Sequence, residues 1–525
     1  MRHVRTAETG TPSESAEQQT TPPPQGRRWW TLTAVCLGTF MLLLDITVVN
    51  VALPSIQRDL SSSFSDLQWV VDAYALTLAA ALLTAGSLAD LFGRRLLYVV
   101  GLAWFTTASL LCGVATGTLF LILARGAQGI GGAIMFAVSL ALLADAFRGK
   151  ERGVAFGVWG AITGIAVAVG PLVGGALTSG LSWRWIFFVN LPIGVIALVI
   201  TVMQVGESRD PRPRRPDWIG FITFTAALAF LVFALIRSSE SGFTAPLVLG
   251  CFAAAAVLMA VFVAMELIGH QPMFELGLFR KPTFTGGAIA AFGVSATIFS
   301  MFLYLTLYLQ DVLGYSALQT GIRLLTASAG IFLVAGIAGR LSSVIPVRLL
   351  IGLGLIVVGI GLFLMRGLNA GSSWTHLVPG LIVSGVGVGM LNPPLASTAV
   401  SVVPERQAGM ASGINSTFRQ VGIATGIALL GSLFASRVTS AATTDLAHVP
   451  GISGQAQQIT TALTNGQLTS TVSTLPPAEQ APVETAARAA FTSGLNDILL
   501  VAAIMAIIAG VLSLLLIRNR DFIHD

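Results

Sequence analysis

The sequence predicts an all-α integral membrane protein with fourteen transmembrane helices, arranged as two six-helix repeats plus two inserted helices. Three observations carry this reading. First, 54% of the 525 residues are hydrophobic and only 10% are charged, whereas a soluble domain carries about 25% charged residues. Such a chain needs hydrocarbon as its solvent. Second, the apolar residues gather into fourteen runs, each close to the roughly 20 residues a helix needs to cross a bilayer. Helices satisfy their own backbone groups in lipid, so each run is read as a span. Third, a short motif near residue 86 returns near residue 339, the mark of an internal duplication.

The elements follow in order. Residues 1–27 are rich in Thr, Pro, Ser, Glu and Gln and lack the apolar stretch and cleavage site of a signal peptide. Their composition predicts a disordered cytoplasmic tail. Spans near 31–53, 67–89, 96–116, 119–144, 153–178 and 184–204 form an N-terminal six-helix bundle over 28–204. Spans near 218–237 and 246–268 are the inserted pair, within 205–270. Spans near 284–309, 318–339, 347–366, 377–400, 407–436 and 494–517 form a C-terminal six-helix bundle over 271–525. A long external loop at 437–493, rich in Ala, Thr, Ser, Gln and Pro, interrupts that second bundle and has room for a short helix around 476–490.

Lys and Arg set the orientation. Arg94–Arg95, Arg148, Lys150, Arg152, Arg209, Arg212, Arg214–Arg215, Arg280–Lys281, Arg340 and Arg348 all fall in alternate loops on one side. The opposite side holds far fewer, so both termini are expected in the cytoplasm. The net charge of +5 is then a topology bias, and no basic patch for nucleic acid is present. Cys36, Cys112 and Cys251 lie inside spans and have neither disulfide nor metal-site spacing. Gly149–Lys150 is followed by Glu151, which spoils a phosphate loop, and the five histidines are dispersed. No catalytic constellation or cofactor site is legible, so an enzyme is disfavoured. An ion gradient is the expected energy source. The proton is favoured because single carboxylates lie within spans and no sodium cage is visible.

The most informative stretch is Gly86-Ser-Leu-Ala-Asp-Leu-Phe-Gly-Arg-Arg95, a tight polar turn between two apolar runs. Gly339 through Leu350 aligns on Gly86 through Leu97 without gaps, with Arg348 on Arg95 and Ser343 on Asp90. A second echo pairs Gly153-Val-Ala-Phe-Gly157 with Gly409-Met-Ala-Ser-Gly413. Repeated halves around a central site are the architecture of secondary transporters. Gly86, Leu88, Asp90, Gly93, Arg94 and Arg95 resemble the signature loop of the major facilitator superfamily, departing from it at Leu91. The resemblance implies the major facilitator fold. Asp90, Arg94 and Arg95, turned by Gly86 and Gly93, are read as a gating loop. The bland alternative is that the arginines only hold topology.

Charge inside the spans points to the chemistry. Asp45 lies past the middle of span 1 and Arg125 a few residues into span 4. Charge at that depth is costly and is a functional site by default. The two are expected at matching depth, to approach each other, and to exchange a proton for substrate. A structural ion pair is the competing reading. Leu44-Asp-Ile-Thr-Val-Val-Asn50 and Pro54 are similar to the first span of the fourteen-span drug:proton antiporter-2 family. Arg125-Gly-Ala-Gln128-Gly129 resembles that family's fourth-span motif, which implies proton coupling at Arg125. Gly157, Gly170, Pro171, Gly174 and Gly175 resemble its antiporter motif, with Ala166 in place of one glycine. Asp72 is a second candidate for proton coupling. Asp497, near the outer interface, is weaker. Asn50, Gln128, Tyr304, Tyr308, Gln310, Asn392, Asn415, Arg419 and Gln420 are candidates for the substrate cavity, although Arg419–Gln420 could equally lock spans together and aromatic residues in spans more often pack or face lipid. The resemblance implies a proton-coupled exporter of drugs or toxic amphipathic compounds that works by alternating access. Its partners would be protons, a small amphipathic substrate and the lipid bilayer, with the chain a monomer in the cell membrane. Alternatives are a dedicated exporter of an endogenous secondary metabolite, an ion channel and a membrane enzyme.

Overall fold

The computed structural model describes residues 25–62, 64–208, 217–268, 275–342, 344–404, 407–446 and 476–522. The tail expected over 1–27 lies almost entirely outside these. Each predicted span is helical. In chain order they are α1 (Gln25–Leu60), α2 (Phe64–Phe92), α3 (Arg94–Gly113), α4 (Thr118–Ala146) and α5 (Gly149–Gly180). Next come α6 (Trp185–Gln204), α7 (Trp218–Ser241), α8 (Pro246–Ile268), α9 (Pro282–Gln310) and α10 (Ala317–Leu341). The last four are α11 (Val347–Leu364), α12 (Val378–Ser401), α13 (Ala408–Leu446) and α14 (Pro477–Leu516). There is no strand among the described residues.

Thirteen of these helices are long and apolar enough to cross a membrane as they stand. The fourteenth, α5, qualifies as a pair of segments, Glu151–Val167 and Leu172–Gly180, bent by 41°. Pro171 lies at the bend, where a missing backbone N–H opens the helical ladder.

The loop expected over 437–493 needs correction. α13 continues to Leu446 and α14 begins at Pro477, which leaves 447–475 outside the described residues. Val438 and Ala442 on α13 share one apolar core with Val483, Ala487, Ala490 and Phe491 on α14. Arg437 reaches Asp497 across the pair at 3.2 Å. Side-chain packing therefore carries both helices beyond their apolar runs, through residues whose Thr, Ser and Gln content read as loop.

One set of cores draws its residues mainly from α1 to α6, and another from α9 to α14. The two sets meet along two glycine-lined seams. A Cβ on Gly86 of α2 would strike the carbonyl oxygen of Gly409 on α13, and one on Gly339 of α10 would strike that of Gly153 on α5. Absence of a side chain lets backbones approach this closely. The two sequence echoes are thus the two sides of one repeated contact. The stretch around Gly86 packs on the one around Gly409, as Gly339 packs on Gly153 and Gly157.

The inserted helices sit over one seam only. Phe221, Phe224 and Leu228 of α7 and Phe262 of α8 bury with Ala80 and Leu83 of α2 and Met410 and Ile414 of α13. Thr225 hydrogen-bonds Thr84 of α2 at 2.8 Å.

Candidate functional site

Asp45 on α1 and Arg125 on α4 are each 1% exposed. Arg125 Nη1 donates to Asp45 Oδ2 at 2.5 Å. Gln128, one turn after Arg125, donates from Nε2 to Asp45 Oδ1 at 2.9 Å and accepts from Arg125 Nη1 at 2.8 Å. Asn190, at the start of the long part of α6, donates to the same Oδ1 at 2.9 Å and to Ser109 Oγ of α3 at 3.0 Å. Arg125 Nε donates to the Val70 carbonyl of α2 at 3.2 Å, and its guanidinium lies 4.2 Å from the Tyr74 ring centre. Five helices meet in this network, and both oxygens of the Asp45 carboxylate are occupied by donors from α4 and α6. A buried pair of this kind survives only when hydrogen bonds replace the lost water. Its chemistry is simple: a proton on Asp45 cancels the attraction that holds Arg125.

Gln128 belongs to this network and not to a cavity wall, because both ends of its amide are bonded to the pair. Asn190 was not singled out from sequence. It heads an apolar run just before Leu191–Pro192 and reads as a helix start. Nothing local shows that it reaches a carboxylate 145 residues away. Asp72 is half-buried on α2. The side chains of Asn50 and Pro171 lie outside what the structure describes.

The turn between α2 and α3 makes a second charged cluster. Asp90 accepts from Arg94 Nε and Nη2 at 3.0 and 2.9 Å. It also accepts from the backbone N–H groups of Gly409 and Met410 at 2.9 and 2.8 Å. It thus caps the start of α13 from the opposite half, where free N–H groups favour an anion. Arg94 is buried and lies 4.0 Å from Asp145 of α4. Gly93 holds the turn with φ of 119°, a region costly for other residues. Arg95 points elsewhere, donating to the Val202 carbonyl of α6 at 2.5 Å. Glu207, which the sequence did not suggest, accepts from the N–H groups of Arg95 and Leu96 at 3.0 and 3.1 Å. It supplies the cap that Gly93 cannot. At the opposite end of α1, the Arg184 hydrogen bond of 2.6 Å holds the exposed Asp59 carboxyl below its ordinary range.

The glycines of α5 divide by partner. Gly170 and Gly174 pack on Thr47 and Val48 of α1, whereas Gly157 and Gly175 face α10. Two cavity candidates are corrected. The Tyr304 hydroxyl donates to the Ile427 carbonyl at 3.0 Å and the Tyr308 hydroxyl to that of Ser372 at 3.2 Å. Their rings pack with Phe434 and Phe491, so both are core residues with satisfied polar tips. Gln310 and Gln420 are half-buried. Asn392 of α12 accepts from Arg419 Nη2 of α13 at 3.0 Å, and Asn415 is buried one turn before Arg419.

Residues 35–427 match the family profile described as Major Facilitator Superfamily. Multidrug resistance protein Stp of Mycobacterium tuberculosis (strain CDC 1551 / Oshkosh) is 40% identical over 407 residues, covering 77% of this chain and 76% of that protein. Puromycin resistance protein pur8 of Streptomyces alboniger is 37% identical over 430 residues, covering 80% and 84%. Among solved structures, the human organic anion transporter MFSD10 (TETRAN) superposes with a TM-score of 0.59 at 15% identity. That match covers 93% of this chain and 100% of the other.

Proposed function

This chain belongs to the Major Facilitator Superfamily, and on that premise we propose that its buried Asp45–Arg125 pair couples proton entry to substrate exit. It is a multi-pass membrane transporter that exports drug-like small molecules, the activity for which its relatives are named. The observation that carries the coupling is the 2.5 Å contact between two almost fully buried charges on different helices. Such a pair costs free energy to bury, and titration of one member changes the packing preference of both.

The steps follow from the geometry. A proton arriving at Asp45 neutralises it and weakens the hold on Arg125, Gln128 and Asn190. α1, α4 and α6 are then free to adopt a second arrangement. Asp90 acts at one end as a latch between the halves, since it binds Arg94 in its own half and two backbone N–H groups in the other. The excess of Lys and Arg in the loops on that side supports a cytoplasmic position for that end and for both termini. On this reading, the Asp90 contacts to Gly409 and Met410 hold the cytoplasmic side closed. Gly170 and Gly174 let α5 follow α1, and Asn392, Asn415, Arg419 and Gln420 supply polar contacts for an amphipathic substrate. The protein works as a monomer in the cell membrane.

The test is efflux of a fluorescent drug from cells, with and without an uncoupler, by wild type and Asp45→Asn. Wild-type efflux should stop with the uncoupler, and the variant should be inactive at equal surface abundance. Uncoupler-resistant efflux that is equal in both would refute the coupling role.

A further inference from the structure

We propose that Arg419 is the anchor of an anion subsite that receives a carboxylate or ionised phenol of the exported molecule. The inference rests on the exporter reading above and names the charge of what is bound. Arg419 is 7% exposed, and its one hydrogen bond among the described residues runs from Nη2 to the neutral Asn392 amide oxygen. No carboxylate lies within ion-pair distance of it among the described residues. Its Nε is buried and unpartnered. A guanidinium presents five donors in a rigid fork, so most of its capacity is idle.

The neighbouring residues are independent of that cation and show the same shortage of acceptors. Asn415, one turn earlier on α13, is buried with Nδ2 unpartnered. Ser412, a further turn back, is buried with Oγ unpartnered. Spacing of three and four residues puts the three side chains on one helix face. The other buried guanidinium deep in a span, Arg125, has Asp45 as its counter-charge. Among the described residues Arg419 has none, yet buried charge is retained where it is paired or used. A planar carboxylate would take two guanidinium N–H groups together, one on each oxygen, and leave a lone pair for the Asn415 amide.

The probes are fluorescein, an anion, and ethidium, a cation, bound to the purified full-length protein in nanodiscs and followed by fluorescence anisotropy. Wild type should bind both. Arg419→Gln should weaken fluorescein by about tenfold or more, the loss expected for a charge-assisted contact. Ethidium should stay within about twofold, and Arg419→Lys should recover part of the fluorescein affinity. The melting temperature of Arg419→Gln should be kept or raised, because a buried unpaired charge is removed. A marked fall in melting temperature with both dyes weakened alike would make Arg419 a structural residue and overturn the subsite. Unchanged fluorescein binding in Arg419→Gln, or wild type binding ethidium alone, would overturn it as well while leaving the exporter reading intact. Wild type binding neither dye would remove both.

Discussion

The sharpest prediction separates a coupling role for Asp45 from a merely structural one. Asp45→Asn keeps the shape of the side chain and removes its charge. In the native site Oδ1 takes donors from Gln128 and Asn190 while Oδ2 takes Arg125. An amide satisfies one side only. If its oxygen faces Arg125, its NH2 meets two donors. Turned round, the NH2 meets the guanidinium. The single variant should therefore lose stability towards the roughly 3–5 kcal/mol seen when one member of a buried pair is removed. The double variant Asp45→Asn with Arg125→Gln removes both charges and should recover most of that loss. Function should not recover with it. A gradient of one pH unit stores about 1.4 kcal/mol per proton, which drives about tenfold substrate accumulation for one-for-one exchange. The assay is accumulation in proteoliposomes under an imposed pH gradient, beside substrate exchange without a gradient and a melting curve. Wild type should accumulate several-fold to tenfold. Both variants should stay near unity, even where exchange continues. A double variant that regains both its melting temperature and its accumulation would reduce the pair to structural glue and refute the reasoning.

The remaining predictions concern the latch and the seams. Asp90→Asn disturbs the cap on α13 and the pair with Arg94, contacts worth about 1–3 kcal/mol together. Transport should slow by about tenfold with membrane abundance unchanged, as read by initial efflux rate and surface labelling. Gly86→Ala and Gly339→Ala each push a methyl group into a backbone carbonyl across a seam, so each should depress transport. Gly336→Ala meets nothing within 4 Å and should be silent in the same efflux assay. Asn190→Ala removes one charge-assisted donor from Asp45 and should lower gradient-driven accumulation by about tenfold. The fold measured by circular dichroism should be retained. Full accumulation in that variant would exclude Asn190 from the network.

Much of this molecule was legible in order along the chain. Apolar run length alone located the spans, because lipid admits only segments that satisfy their own backbone, and that requirement is local. The duplicated motif marked the stretches that form the two glycine contacts, Gly86 on Gly409 and Gly339 on Gly153. Asp45 and Arg125 stood out because hydrocarbon makes any charge conspicuous. Of the stretch 437–493, the helix expected around 476–490 is present as the start of α14, while the run of α13 on to Leu446 was not legible, because Val438 and Phe491 are apolar for a partner that is distant in sequence.

The chain by itself thus determined which residues enter the membrane, in how many passes, and which of them carry charge there. Tertiary structure alone decided the partners. It put Asn190 on Asp45, Glu207 on the start of α3 and Asp90 on the start of α13, and it turned Tyr304 and Tyr308 into core. The reason is physical. Solvent preference is a property of each residue where it stands, but a hydrogen bond belongs to two groups, and a long helix carries its side chains far from their neighbours in sequence before they find one another.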